Sequence, residues 1–258
     1  MEKLNYTDTG SGDVLVLLHG FCEDLHVWEG ILPELVRYRL VCMDLPGFGK
    51  SGLTEGKEVE TLEDMATRVA VTLKMAGIEK CTLIGHSMGG YVALAFAEKY
   101  PEMLTGWGLF HSTAYPDSPE KKEDRLKQVE FVRKNGPVPY VNKLIPGLFS
   151  KSHERSLQTE YSLKIARECK AEGIINALLA MRQRPERIET LTNAEVPVLI
   201  VAGADDALIP LEKLSYQASL PARCQFELLE NSGHMGMTEE PGESVRLLDS
   251  FMQFARMG

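Results

Sequence analysis

The sequence predicts an α/β fold: a mostly parallel central sheet flanked by helices, with an all-helical insertion. Three observations point there. Short apolar runs of four to seven residues recur without polar alternation, the pattern of strands buried on both faces. Stretches with helical caps and helical periodicity lie between them. One stretch, residues 112–192, contains no strand-like run.

The elements follow in order. The first apolar run is VLVLL at 14–18, ending at His19-Gly20, and the second is RLVCM at 39–43. Residues 61–76 begin with a Thr cap and an acid three residues on, and stop before Gly77, so they read as a helix. CTLI at 81–84 is the third strand, an Ala-rich helix over 88–99 follows, and 107–110 is a weaker fourth strand. Helices are then expected over 119–134, 139–149, 154–171 and 174–183, punctuated by Gly136, Pro137, Pro146, Gly147 and Gly173. Strands at 196–202 and 224–229 and a helix from Pro241 onward complete the chain. The expected units are a core of 1–111 and 193–258 and a helical segment of 112–192.

Composition narrows the function. The chain has 258 residues, 44% of them hydrophobic, and a net charge of -9. That suits one large domain with an insertion. An acidic surface repels phosphate backbones, so nucleic acid is not an expected partner. No apolar run reaches the roughly 18 residues of a membrane span, and MEKLNYTDTG has no apolar signal core. Cysteines 22, 42, 81, 169 and 224 are scattered, with no C-x-x-C. They read as free thiols of a cytoplasmic protein, and neither a metal nor a cofactor is expected. The expected partner is a small-molecule substrate; oligomeric state is not encoded legibly.

DLPGFGKSG at 44–52 looks like the end of a phosphate-binding loop, but it fails on spacing. The first glycine of G-x-x-x-x-G-K-[ST] falls on Asp44, and Gly52, Thr54 and Gly56 are a poor helix start. The stronger motif is Gly85-His86-Ser87-Met88-Gly89, set between an apolar strand and an Ala-rich helix. G-x-S-x-G in that setting is a nucleophile elbow. The sharp turn lifts the Ser87 Oγ off the sheet, and the small residues let strand and helix approach. A serine nucleophile needs a base and an orienting acid, in the order Ser, acid, His. His234, after the last strand and flanked by Gly233 and Gly236, is the expected base. His153 and His26 read as surface or packed histidines. Asp205 and Asp206 both follow a strand end and both stand as the acid on position alone. The oxyanion donors are the Met88 N–H, after the nucleophile, and the Phe21 N–H, where Gly20 turns the backbone inward. His19 is expected to hold that loop.

HGF at 19–21, DLPGFGKS at 44–51, GHSMGG at 85–90, Gly203-x-x-Asp206 with Pro210, and SGH at 232–234 together resemble the α/β-hydrolase superfamily. The resemblance covers roughly residues 13–111 and 196–256. It implies that DLPGFGKS is a structural loop fixed by Asp44, without bound phosphate. It favours Asp206 as the acid, with Asp205 as a loop-capping neighbour. It implies that 112–192 is a cap over the pocket. His111, Tyr140, Ile145, Phe149 and Met181 are then the possible pocket residues, with Leu148, Leu178 and Trp107 beside them. The run PEKKEDRLK at 119–127 reads as a solvated helix face. The implied activity is a serine hydrolase of small or medium carboxylic esters, thioesters or lactones. The alternatives are a carbon–carbon bond hydrolase or a menaquinone-pathway-synthase-like lyase on the same triad, then a non-catalytic ligand sensor. Arg182, Arg184 and Arg187 are the cations that a multi-carboxylate lyase substrate would need.

Overall fold

The computed structural model describes residues 2–257; residues 1 and 258, at the outer ends of the expected core segments, lie outside the described residues. Its strands are β1 (Tyr6–Thr9), β2 (Val14–Leu18), β3 (Arg39–Met43), β4 (Cys81–His86), β5 (Leu104–Phe110), β6 (Val198–Gly203) and β7 (Cys224–Leu229). They form one sheet in the order β1-β3-β2-β4-β5-β6-β7. Only β1 runs antiparallel to its neighbour. The apolar runs became the six parallel strands, and β4 and β6 are buried at every residue. Each fully buried Leu, Ile or Val there stabilises the fold by roughly 1.5–3 kcal/mol. β1, with the sequence YTDT, is a mostly exposed edge strand. It carries no apolar signal, which is why the sequence pattern misses it.

The helices are α1 (Leu62–Met75), α2 (Met88–Lys99), α3 (Pro119–Asn135), α4 (Pro137–Leu144), α5 (Leu157–Arg167), α6 (Ala171–Gln183), α7 (Ile188–Thr192), α8 (Leu211–Ala218), α9 (Gly236–Glu239) and α10 (Pro241–Arg256). α1 starts as its sequence predicts: Thr61 Oγ1 accepts the Asp64 N–H, and the Asp64 carboxylate accepts the Thr61 N–H. The expected helix over 139–149 ends instead at Leu144, with a tight 3-10 turn over Ile145–Leu148. Pro146 has no N–H to donate and its ring clashes with the preceding turn. α3 to α7 all fall between β5 and β6, and α3 packs along α6.

The Asp44 loop is wrapped around its own carboxylate. Asp44 Oδ2 accepts the Lys50 N–H at 2.9 Å and the Asn5 side chain at 2.7 Å, and Oδ1 accepts the Leu25 N–H at 2.9 Å. Gly49 sits at φ +51°, and a Cβ there would strike that carboxylate. An aspartate occupies the centre of this loop, where a phosphate-binding loop would need to receive another anion.

The sheet register brings the strand ends together. Leu18 pairs with Gly85, His86 with Phe110, and Gly203 with Leu229. The loops after β2, β4, β6 and β7 therefore open on the same edge, the carboxyl edge where open α/β sheets hold their sites.

Candidate active site

The elbow is built by close approach. A Cβ on Gly89 would lie 2.6 Å from the carbonyl oxygens of Leu18 and His19, and one on Gly85 would collide with the Gly89 carbonyl. Only glycine lets α2 come this near β2 and β4. The turn forces Ser87 to φ 48°, ψ -111°, a conformation that costs an L-residue on the order of 1–3 kcal/mol. Neighbouring hydrogen bonds hold it there. The Ser87 N–H donates to the Phe110 carbonyl at 2.9 Å, and Ser112 Oγ donates to the Ser87 carbonyl at 2.6 Å.

Three expected residues meet at this point. Ser87 Oγ lies 2.8 Å from His234 Nε2, and His234 Nδ1 lies 2.7 Å from Asp206 Oδ2. The other Asp206 oxygen accepts the Leu208 and Ile209 N–H groups at 2.8 and 3.2 Å. Asp206 is the partner because its side chain is fully enclosed while Asp205, one residue earlier, points to solvent. Burial pushes the Asp206 pKa up, but facing His234, His111 and the Leu208 amide outweigh it and hold the carboxyl below the usual range. An ionised Asp206 fixes the proton on His234 Nδ1 and leaves Nε2 free to accept the serine proton.

The loop after β2 is equally constrained. The Leu45 N–H donates to His19 Nε2 at 2.8 Å, so the ring proton is on Nδ1 and donates to the Gly20 carbonyl at 2.7 Å. The Phe21 ring then faces the site. Met88 is the first residue of α2, so its N–H has no acceptor inside the helix.

Three supporting residues escaped the sequence reading, and a fourth, His111, was expected in the pocket wall instead. Glu23 accepts the Gly20 N–H at 2.7 Å and faces His86 Nδ1 at 3.0 Å. The opposite nitrogen, His86 Nε2, donates to the His234 carbonyl at 2.8 Å. Both His86 nitrogens face acceptors, so both carry protons and the ring is an imidazolium paired with Glu23. Burial presses His86 toward neutrality, yet the Glu23 charge and these hydrogen bonds raise its pKa above the ordinary value. Burial likewise opposes the Glu23 charge, and His86 overrides it. Glu239 pins the histidine loop: it accepts the Gly233 and Met235 N–H groups at 2.9 and 3.2 Å and the Ser150 N–H at 2.8 Å. His111 stands beside Asp206 and His234. Its Nε2 accepts the Gly236 N–H at 3.2 Å, and Nδ1 lies 3.7 Å from Asp206. Burial drives its pKa well below the ordinary value. The only hint of Glu23 and His86 in the sequence was their place beside the HGF and G-x-S-x-G motifs.

Ser87 and His234 open on a cavity of about 130 Å3. Phe21, Tyr140, Leu148 and Met181 line it, with Tyr91, Leu144, Leu208 and Ile209. His111, Ile145 and Phe149 do not, nor do Trp107 and Leu178. His111 is turned under the histidine loop, and Ile145 and Leu178 are consumed by the insertion's own packing, fully buried. The cations in the wall are Lys121 and Arg125, from the run read as a solvated face. Arg182, Arg184 and Arg187 are engaged elsewhere, with the Lys122 carbonyl, with Asp117, and with Glu63 and Glu98 respectively. An apolar groove of about 440 Å3 continues from the cavity, sharing Gln128, Tyr140, Leu144, Leu148 and Leu208 as walls.

A larger cleft of about 510 Å3 lies at the opposite edge, beside the first residues of β2, β4 and β5. It holds neither the serine nor a histidine, so the smaller cavity is the candidate site. Among the described residues no group of three His, Cys, Asp or Glu converges as a metal site, and no helix is long and apolar enough to cross a membrane.

The family described as alpha/beta hydrolase fold matches residues 13–241. A thermophilic esterase from Thermogutta terrifontis, solved with malate bound, is 34% identical over 98% of this chain and 93% of its own, with a TM-score of 0.93. A 2-hydroxy-6-oxononadienedioate/2-hydroxy-6-oxononatrienedioate hydrolase of Paraburkholderia phymatum is 28% identical, covering 97% of this chain and 91% of that protein. Lipase 1 of Psychrobacter immobilis is 27% identical, covering 95% and 78%.

Proposed function

This chain belongs to the α/β-hydrolase family, and from that premise we propose that it is a serine hydrolase of small or medium carboxylic esters, thioesters or lactones. One observation carries the reading: the line from Ser87 Oγ through His234 to Asp206, at 2.8 and 2.7 Å, ends in the small cavity.

His234 Nε2 takes the Ser87 proton as Oγ attacks the carbonyl carbon. The imidazolium that forms is stabilised by Asp206. The Phe21 and Met88 N–H groups receive the charge that develops on the carbonyl oxygen, aided by the positive end of α2. His234 returns the proton to the departing oxygen or sulfur, and the acyl group stays on Ser87. Water, deprotonated by His234, then releases the acid. No step calls on a metal or cofactor.

Residues 112–192 act as the cap. The cavity takes Lys121, Arg125, Gln128, Tyr140, Leu144, Leu148 and Met181 from them, so the insertion selects the substrate. A volume of about 130 Å3 lies below the roughly 300–1,000 Å3 of typical ligand pockets and favours a short acyl group. The open apolar groove suits the leaving half. Carbon–carbon bond hydrolysis by the same residues is the second reading, and the cations in the wall are what favour it.

Turnover of p-nitrophenyl acetate, butyrate and octanoate by wild type and Ser87→Ala tests the proposal. Saturable turnover is expected, fastest for the short esters, and its loss on the order of 10⁶-fold in the variant. No turnover of any ester by wild type would move the carbon–carbon reading to the front.

A further inference from the structure

The catalytic cavity has an unbalanced charge. Lys121, Arg125 and Gln128 all line it from α3. Spaced by four and three residues, they share one helix face. Asp117 sits behind them and accepts Arg125 Nε at 2.7 Å and Arg184 Nη1 at 2.8 Å. Lys121 is in no ion pair among the described residues. Arg125 and Arg184 thus share Asp117 while Lys121 stands unpaired, and even with the ionised Asp206 in the site a positive excess remains on the α3 side. Gln128 Oε1 already accepts the Tyr140 hydroxyl at 2.9 Å, so its NH2 is the end left to bind a ligand. Across the cavity, Glu23 is neutralised by His86 and offers no counter-charge. The α3 side of the cavity therefore presents donors and positive charge to whatever enters.

We infer that the acyl half of the substrate is a short dicarboxylic acid, esterified at one end, whose free carboxylate rests against Lys121, Arg125 and Gln128. This deepens the ester-hydrolase reading and rests on it. The acyl half is assigned to the cavity by the order of events. The alcohol leaves first, so it needs the open groove, while the acyl group must stay beside Ser87 until water arrives. Charged groups in a partly enclosed cavity gain most from a fixed counter-ion, because little solvent screens them. A planar guanidinium and an amide suit the two oxygens of a carboxylate.

The test compares monomethyl succinate with dimethyl succinate, which differ only in the free carboxylate, in wild type and Lys121→Gln. Lys121 is an exposed helix residue in no ion pair among the described residues, so the variant is expected to fold. Wild type should favour the monoester by at least tenfold in kcat/KM, and the ratio should fall at least tenfold in Lys121→Gln, mainly through KM. Equal use of the two esters by wild type, or an unchanged ratio in the variant, overturns the inference. If wild type hydrolyses neither ester, ester hydrolysis is the reading that fails, and calorimetric titration with succinate decides the anion site separately. Binding weakened at least tenfold by Lys121→Gln supports the site; no binding to wild type, or equal binding to both, overturns it.

Discussion

At the scale of single residues, the site divides into groups that do chemistry and groups that hold them. His86 belongs to the second kind. Its imidazolium bonds the carbonyl of His234 and, through Glu23, reaches the Gly20 N–H, so one buried ion pair ties together the loops after β2, β4 and β7. Its pKa is raised in the folded state, so its contribution to stability is complete below the unfolded histidine value of about 6.5. That contribution is lost as pH climbs through the raised folded value. His86→Gln leaves the Glu23 charge buried without its partner and should cost roughly 3–5 kcal/mol near pH 6. In urea unfolding the gap between wild type and variant should narrow by pH 9; a gap that widens with pH would show that His86 is neutral. This pair was illegible in the sequence because 63 residues separate its members. Ser87 was legible because a sharp turn prints its steric needs locally, as glycines two before and two after. Lys121 and Arg125 were misread for a different reason. A charged helix looks solvated all round until the cavity facing one stripe of it is known.

At the scale of elements, the histidine loop shows how the core and the insertion are joined. The Leu148 carbonyl, two residues after Pro146, accepts the His234 N–H at 2.7 Å, and Gly233 has no room for a Cβ against Ser150 and the Leu148 carbonyl. Glu239 at the end of α9 closes the joint with three backbone bonds, from both sides of it. Glu239→Gln turns one acceptor into a donor facing a backbone N–H and should cost about 1–3 kcal/mol. Because the joint carries His234, kcat should fall with stability. A variant with wild-type melting temperature and turnover would show that the loop does not depend on this carboxylate. Strands and long helices were readable from apolar runs and caps. Their joints were not, since contacts between residues 150 and 239 leave no local pattern.

At the scale of the whole molecule, the parallel sheet gathers four loop ends at one edge, and residues of the insertion line the cavity beside them. The phosphate-loop likeness at 44–52 dissolves at this scale too: its centre is filled by Asp44, and the next helix begins only at Leu62. Competing nucleophiles are disarmed by the fold. Burial pushes the thiols of Cys42 and Cys81 up to about 12 and that of Cys224 up to about 11, so at neutral pH they are not thiolates. Ser87, with its Oγ 2.8 Å from His234 Nε2, is therefore the nucleophile that a serine-directed reagent is expected to find. The most direct test is intact-protein and peptide mass spectrometry after exposure to a small alkyl fluorophosphonate. One adduct on Ser87, absent from Ser87→Ala, is the predicted result; no adduct, or an adduct that persists in Ser87→Ala, would contradict it.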